Sequence, residues 1–140
     1  MTILYIASHV AIERGVSAQL LLIAWMYDGE RGLKLNALEK ILTVCRKDEV
    51  VEGTVIQIKK GDLDLAVYCI ESIYYVTDNL CTHGAGYMNE GYLDGHIIEC
   101  DFHGGAFDIR TGEVVSPPCM IPLKTYPVLD DVAEVKIKMS

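Results

Sequence analysis

CTHGAGYMNEGYLDGHIIECDFHGG, residues 81–105, holds two of the chain's five cysteines and three of its four histidines. Cys81 and His83 are spaced C-x-H, Cys100 and His103 are spaced C-x-x-H, and sixteen residues lie between His83 and Cys100. Each short pair can put two ligands at the tip of one loop, so the stretch predicts two opposed loops converging on one site. Two thiolates and two imidazoles suit a tetrahedral zinc. They equally suit a [2Fe–2S] centre with both thiolates on one iron and both imidazoles on the other. Zinc-finger patterns keep cysteines together and histidines together along the chain, whereas the order here is Cys, His, Cys, His. Each loop therefore gives one ligand of each kind, which suits a cluster gripped between two tips. Gly84, Gly86, Gly104 and Gly105 let backbone N–H groups approach the sulfurs.

Outward from the two boxes, residues 41–140 read as β structure. TVIQIK (54–59) alternates and stops at a KGD turn. LDLAVYCI (63–70) and SIYYVT (72–77) are rich in β-branched and aromatic residues, with a polar break at Glu71 and Ser72. HIIEC leads into the second box, and AFDIR–TGE–VVS predicts a hairpin across a glycine turn. Pro117, Pro118 and Pro122 interrupt the ladder and predict an ordered loop. LKTYPV and AEVKIKM follow. Many short strands with frequent turns predict an all-β antiparallel barrel or sandwich. Residues 1–40 differ: SAQLLLIAWM is compatible with a short helix, and Gly29 and Gly32 separate it from LNALEKIL. They read as an N-terminal extension with helical potential and no functional motif; its Trp25 suits packing better than docking.

A chain of 140 residues is one domain's worth, and 51% hydrophobic residues excludes disorder. The net charge of −8 argues against binding a phosphate backbone. Residues 1–40 carry four acids and four bases and residues 41–140 sixteen and eight, so the acidic surplus belongs to the part with the boxes. Five cysteines is an odd number and no secretory signal pattern is present, which disfavours a disulfide scaffold. In a reducing compartment, cysteines at such spacing bind metal or do redox chemistry. The longest strongly apolar run, LLLIAWMY (20–27), falls short of the roughly 20 residues a membrane span needs. The expectation is a soluble cytoplasmic protein with neither nucleic acid nor membrane among its partners.

CTHG, CDFHGGAFD and the proline-rich SPPCMIP resemble the Rieske family throughout residues 81–122. IYYVTDNLCTHG, DGHIIEC and LKTYPV resemble more narrowly the small Rieske ferredoxins that feed naphthalene- and biphenyl-type ring-hydroxylating dioxygenases. The resemblance covers about residues 41–140. It implies a Rieske-type barrel or sandwich with a two-loop cluster-binding subdomain, and one [2Fe–2S] cluster held by Cys81, His83, Cys100 and His103. It further implies that both histidines bind iron through one ring nitrogen and present the other at the molecular tip. The implied function is electron transfer rather than catalysis. One electron at a time would pass from an NAD(P)H-dependent flavoprotein ferredoxin reductase to the terminal oxygenase component of an aromatic-ring-hydroxylating dioxygenase. A structural zinc-binding interaction module is the alternative, as is a Rieske ferredoxin serving another oxygenase class such as a salicylate hydroxylase.

The same comparison sets this chain apart from other Rieske proteins. Subunits of cytochrome bc-type complexes carry an extra disulfide joining the loops and a membrane anchor, and neither loop here has the added cysteine. Large oxygenase subunits add a mononuclear iron held by two histidines and a carboxylate. Only His9 and His96 remain for such a site, and the chain is too short. Asp101 stands where the family usually has proline, and a carboxylate beside the cluster predicts a potential at the low end of the Rieske range, near ~−150 mV. Cys45 and Cys69 read as small apolar packing residues, Cys119 as packing over the cluster, and His96 as an exposed turn or strand residue.

Overall fold

The computed structural model describes residues 40–139; the expectations placed on residues 1–39, Trp25 and His9 among them, lie outside the described residues. The strands run β1 (Lys40–Arg46), β2 (Thr54–Lys60), β3 (Leu63–Ile70), β4 (Ile73–Asp78), β5 (Tyr92–Asp94), β6 (Ile97–Glu99), β7 (Ala106–Asp108), β8 (Val114–Ser116), β9 (Thr125–Tyr126), β10 (Val128–Leu129) and β11 (Glu134–Met139). Single 3-10 turns occur at Lys47–Glu49 and Met88–Glu90. The strands form three sheets, ordered β1-β11-β10, β2-β3-β4-β9 and β5-β6-β7-β8, and every pairing is antiparallel. This is the expected all-β architecture. Among the described residues no helix is long and apolar enough to cross a membrane.

β3 explains why LDLAVYCI reads as a continuous apolar run rather than an alternating one. Its Leu65, Val67 and Cys69 face one core, together with Val44 of β1, Val76 of β4, and Val135 and Ile137 of β11. Its Ala66, Tyr68 and Ile70 face a second core, shared with Ile98 and Phe107 of the third sheet. A strand covered on both faces has no solvent side to mark with polar residues. The first core fills the space between the first two sheets. The second lies under the third sheet, and Cys81, Cys100 and Cys119 belong to it. A register shift between Thr43 and Cys45 turns the consecutive Val44 and Cys45 inward together. Cys45 and Cys69 are packing residues as expected, and burial pushes the Cys45 thiol up to about 11.

The break between β3 and β4 is a two-residue hairpin turn with positive φ at both Glu71 (53°) and Ser72 (62°). Neither residue is glycine, and Glu52 supports the turn by accepting the N–H of Glu71 (2.6 Å) and of Ser72 (2.9 Å). LKTYPV is shared between two sheets: β9 pairs with β4, β10 pairs with β11, and Pro127 lies where the chain changes sheet. His96 corrects the expectation of an exposed residue. It is half-buried in the β5–β6 turn, with its ring edge-on to Tyr75 at 5.6 Å and Nε2 at 3.4 Å from the Tyr75 hydroxyl.

Candidate metal centre

The two ligand loops leave different sheets and share one construction. Residues 81–86 follow β4, and residues 100–105 connect β6 to β7. In each, the cysteine N–H donates to a carbonyl five residues ahead: Cys81 to Gly86 (2.8 Å) and Cys100 to Gly105 (2.8 Å). The tips fold back through Gly84 N–H to the Cys81 carbonyl (3.2 Å) and Gly104 N–H to the Cys100 carbonyl (2.9 Å). Two of the glycines answer to close approach. A Cβ at Gly86 would collide with the Cys100 sulfur, and one at Gly105 would collide with the Cys119 sulfur. The ligand loops are therefore packed so closely that a sulfur occupies each missing side chain's place.

All four predicted residues come together here, with sulfur inside and nitrogen outside. Cys81 and Cys100 are buried at 2% and 0% exposure, whereas His83 is half-buried and His103 exposed. Donor atoms of Cys81, His83 and Cys100 all lie within 4.8 Å of one another. His103 stands outside that trio, its Nδ1 at 2.5 Å from His83 Nε2, while His83 Nδ1 lies at 2.7 Å from the Cys81 sulfur. Burial pushes both cysteine thiols above their ordinary pKa. The backbone N–H of His83 toward Cys81, and those of Phe102 and His103 toward Cys100, act in the opposite direction. A thiolate in this enclosure thus calls for a bound cation, and N–H donors already point at the sulfurs that one would deprotonate.

Around the histidines the surface is apolar. Phe102, exposed, stacks near-parallel on His83 at 6.4 Å and meets His103 edge-on at 4.4 Å. Thr82, Pro118, Met120 and Ile121 line a concavity with the two imidazoles. Met120 is 89% exposed. Asp101 is exposed, so it borders the site from the solvent side.

The Rieske [2Fe–2S] domain matches residues 40–127, a span that contains both loops and the proline segment. The chain belongs to the Rieske [2Fe–2S] family. The ferredoxin component of naphthalene 1,2-dioxygenase/salicylate 5-hydroxylase systems from Ralstonia sp. is 44% identical over 92 residues, covering 66% of this chain and 88% of that protein. Sphingomonas yanoikuyae B1 ferredoxin superposes with a TM-score of 0.68 at 44% identity, covering 72% of this chain and all of that one. A ferredoxin in complex with the reduced oxygenase of carbazole 1,9a-dioxygenase superposes at 0.65 with 40% identity, covering 70% and 92%.

The residues present fit the family's cluster. Four donors around one zinc at about 2.0–2.3 Å would have to gather at a single point. Here Cys81, His83 and Cys100 have donor atoms within 4.8 Å of one another while His103 is set outward against His83, and two thiolates with two imidazoles are the donor set of a two-iron cluster of this family. No second group of three or more metal-ligating side chains gathers among the described residues.

Sequence reasoning missed two supports of this Rieske site. Asn79, fully buried two residues before Cys81, donates through Nδ2 to Asp64 (3.0 Å) and accepts the Asn89 N–H (3.0 Å). The Thr82 hydroxyl donates to the Ile121 carbonyl (2.7 Å), and the Ser116 hydroxyl to the Gly104 carbonyl (2.9 Å), so the proline segment is fastened to both ligand loops. A buried asparagine between a polar aspartate and an apolar leucine carries a weak signal: short polar residues before a loop are common, and only burial separates a brace from a turn residue.

Proposed function

We propose that this chain is a one-electron carrier, loaded by an NAD(P)H-dependent flavoprotein ferredoxin reductase and discharged by the terminal oxygenase of an aromatic-ring-hydroxylating dioxygenase. Cys81, His83, Cys100 and His103 are assigned as the cluster ligands, within a Rieske domain of residues 41–140 preceded by an extension of residues 1–40. The observation that carries the reading is the polarity of the site: ligand sulfurs sealed in a core, imidazoles at an exposed apolar tip.

Bound there, the cluster supplies reversible one-electron chemistry between neutral and −1 (an all-cysteine centre would run from −2 to −3), which makes it the readier acceptor. The protein's own residues do the rest. The second core keeps water from the sulfurs, and the N–H groups of His83, Phe102 and His103 support negative charge on them. His83 and His103 bring the redox centre to the surface. Phe102, Met120 and Ile121 offer a small apolar face that a partner can cover and leave quickly, while the net charge of −8 steers encounter with basic patches. Docking to an oxygenase has its parallel in the carbazole dioxygenase complex. The Ralstonia relative is named for both a dioxygenase and a salicylate hydroxylase, which favours a carrier that leaves substrate choice to the oxygenase. A reductase drawing on NAD(P)H places the carrier in the cytoplasm.

Anaerobically purified protein should be red-brown, contain two irons and two inorganic sulfides per chain, and show an EPR signal only after reduction. It should also restore electron flow from a flavoprotein reductase to an aromatic-ring oxygenase. A colourless protein holding zinc would overturn the assignment, as would an iron–sulfur protein that the reductase cannot reduce.

A further inference from the structure

The proline segment between β8 and β9 brings a fifth sulfur to the site. Cys119 is 3% exposed, and its Sγ lies 3.5 Å from the Sγ of Cys81, within reach of an S–H···S hydrogen bond. The position is fixed from three directions. The sulfur fills the space of the side chain that Gly105 lacks, Thr82 fastens Ile121, and Ser116 fastens the Gly104 carbonyl of the opposite loop. The other nearby polar partner of Cys119 is His83 Nδ1, farther away at 3.8 Å.

We propose that Cys119 is a positioning residue whose thiol donates a hydrogen bond to the Cys81 sulfur and thereby raises the potential at which this protein accepts an electron. The proposal rests on the assignment of Cys81 as a ligand. A metal-bound thiolate has no proton, so the hydrogen between the two sulfurs belongs to Cys119. An anionic sulfur is the stronger acceptor, and in a site closed to water no solvent molecule competes for the S–H. Reduction adds negative charge that spreads onto the ligand sulfurs, so a donor aimed at one of them stabilises the reduced form more than the oxidised form. The effect opposes that expected of the Asp101 carboxylate. A residue that reads in the sequence as filler over the cluster thus becomes part of its electronics.

The test compares wild type, Cys119→Ala and Cys119→Ser as holoproteins, with iron and sulfide content measured beside the midpoint potential in protein-film voltammetry. Alanine and serine differ here only by a hydroxyl donor, so a purely packing role would leave their potentials together. Cys119→Ala should keep its full iron and sulfide and shift the one-electron equilibrium about fivefold toward the oxidised form, the worth of one hydrogen bond, or ~40 mV lower. Cys119→Ser should recover part of that shift. In the infrared, the S–H band lost in Cys119→Ala should lie at lower frequency than that of a free thiol. An unchanged potential in a fully loaded Cys119→Ala protein overturns the proposal while leaving the ligand assignment intact. Equal potentials for alanine and serine, or loss of iron from Cys119→Ala, overturn it as well. Failure of the assignment itself is separately visible, because Cys81→Ser would then retain its cluster.

Discussion

Replacing Asn79 with alanine should loosen the first ligand loop without touching a ligand. The side chain is fully buried and joins three pieces of chain: the start of β3 through Asp64, the approach to Cys81, and the 3-10 turn after the loop through Asn89. Alanine keeps the backbone bonds from Asn79 N–H to the Asp64 carbonyl (2.9 Å) and from Met88 N–H to the Asn79 carbonyl (2.7 Å). It loses both side-chain bonds, each worth about 1 kcal/mol net, and leaves the Asn89 N–H without its acceptor at a further cost of about 1–3 kcal/mol. The Asp64 carboxylate keeps Gln57 Nε2 as a donor at 2.8 Å and adds little to the loss. The sum is about 3–5 kcal/mol, which for a domain of this size lowers the thermal midpoint by roughly 12–40 °C. Because the break is beside Cys81, bleaching of the cluster by an iron chelator should quicken as well. Thermal unfolding followed by circular dichroism, with chelator-driven bleaching followed in the visible, measures both. A variant within about 0.5 kcal/mol of wild type that holds its cluster equally long would refute the idea that Asn79 braces the loop.

Gly86→Ala should yield a folded but iron-poor protein. The new Cβ would fall well inside the 3.0 Å that real Cβ atoms keep from other heavy atoms, so the Cys100 sulfur would have to retreat or the loops part. Metal ligation tolerates only about ±0.2 Å. Iron content at or above nine-tenths of wild type, measured on material with an unchanged circular dichroism spectrum, would contradict that geometry. At the β3–β4 turn, the Ser72 and Glu71 backbone N–H groups hold Glu52 below its ordinary pKa. Its contribution to the turn is therefore fully present above about pH 4.5 and is lost as pH falls through the depressed folded-state value. The amide resonances of Glu71 and Ser72 should titrate with a midpoint below 4.5 and stop doing so in Glu52→Gln; a midpoint at or above 4.5 would remove the effect.

The proposed ligand set could be picked out because chemistry restricts it so tightly. Few reasons exist to space two cysteines and two histidines alternately between glycines, and the loops carry their own closing geometry within six residues each. The strands from Thr54 to Asp78 were legible for a related reason: their hairpins are local, and β-branched runs end at turn residues. What stayed hidden depended on partners distant in sequence. Nothing in the six residues of LKTYPV reveals that β9 and β10 answer to different sheets. His96 looks exposed beside its Asp-Gly turn until Tyr75, twenty-one positions earlier, comes to lie against it. The sequence likewise places Cys119 among prolines without disclosing that its sulfur ends 3.5 Å from that of Cys81.

That arrangement also reconciles two demands on an electron carrier. The centre must be insulated enough for its potential to be set by fixed donors rather than by water, and exposed enough for electrons to cross quickly to a partner. On the proposed ligand assignment, this fold divides the demands between thiolates and imidazoles. Cys81 and Cys100 sit in a core where N–H groups, and on our proposal the Cys119 thiol, set the electrostatics. His83 and His103 lie at the rim, where Phe102 and Met120 give a partner something to cover. Changes at the sulfur end should therefore alter potential with little effect on partner affinity, whereas changes at Phe102 or Met120 should do the reverse.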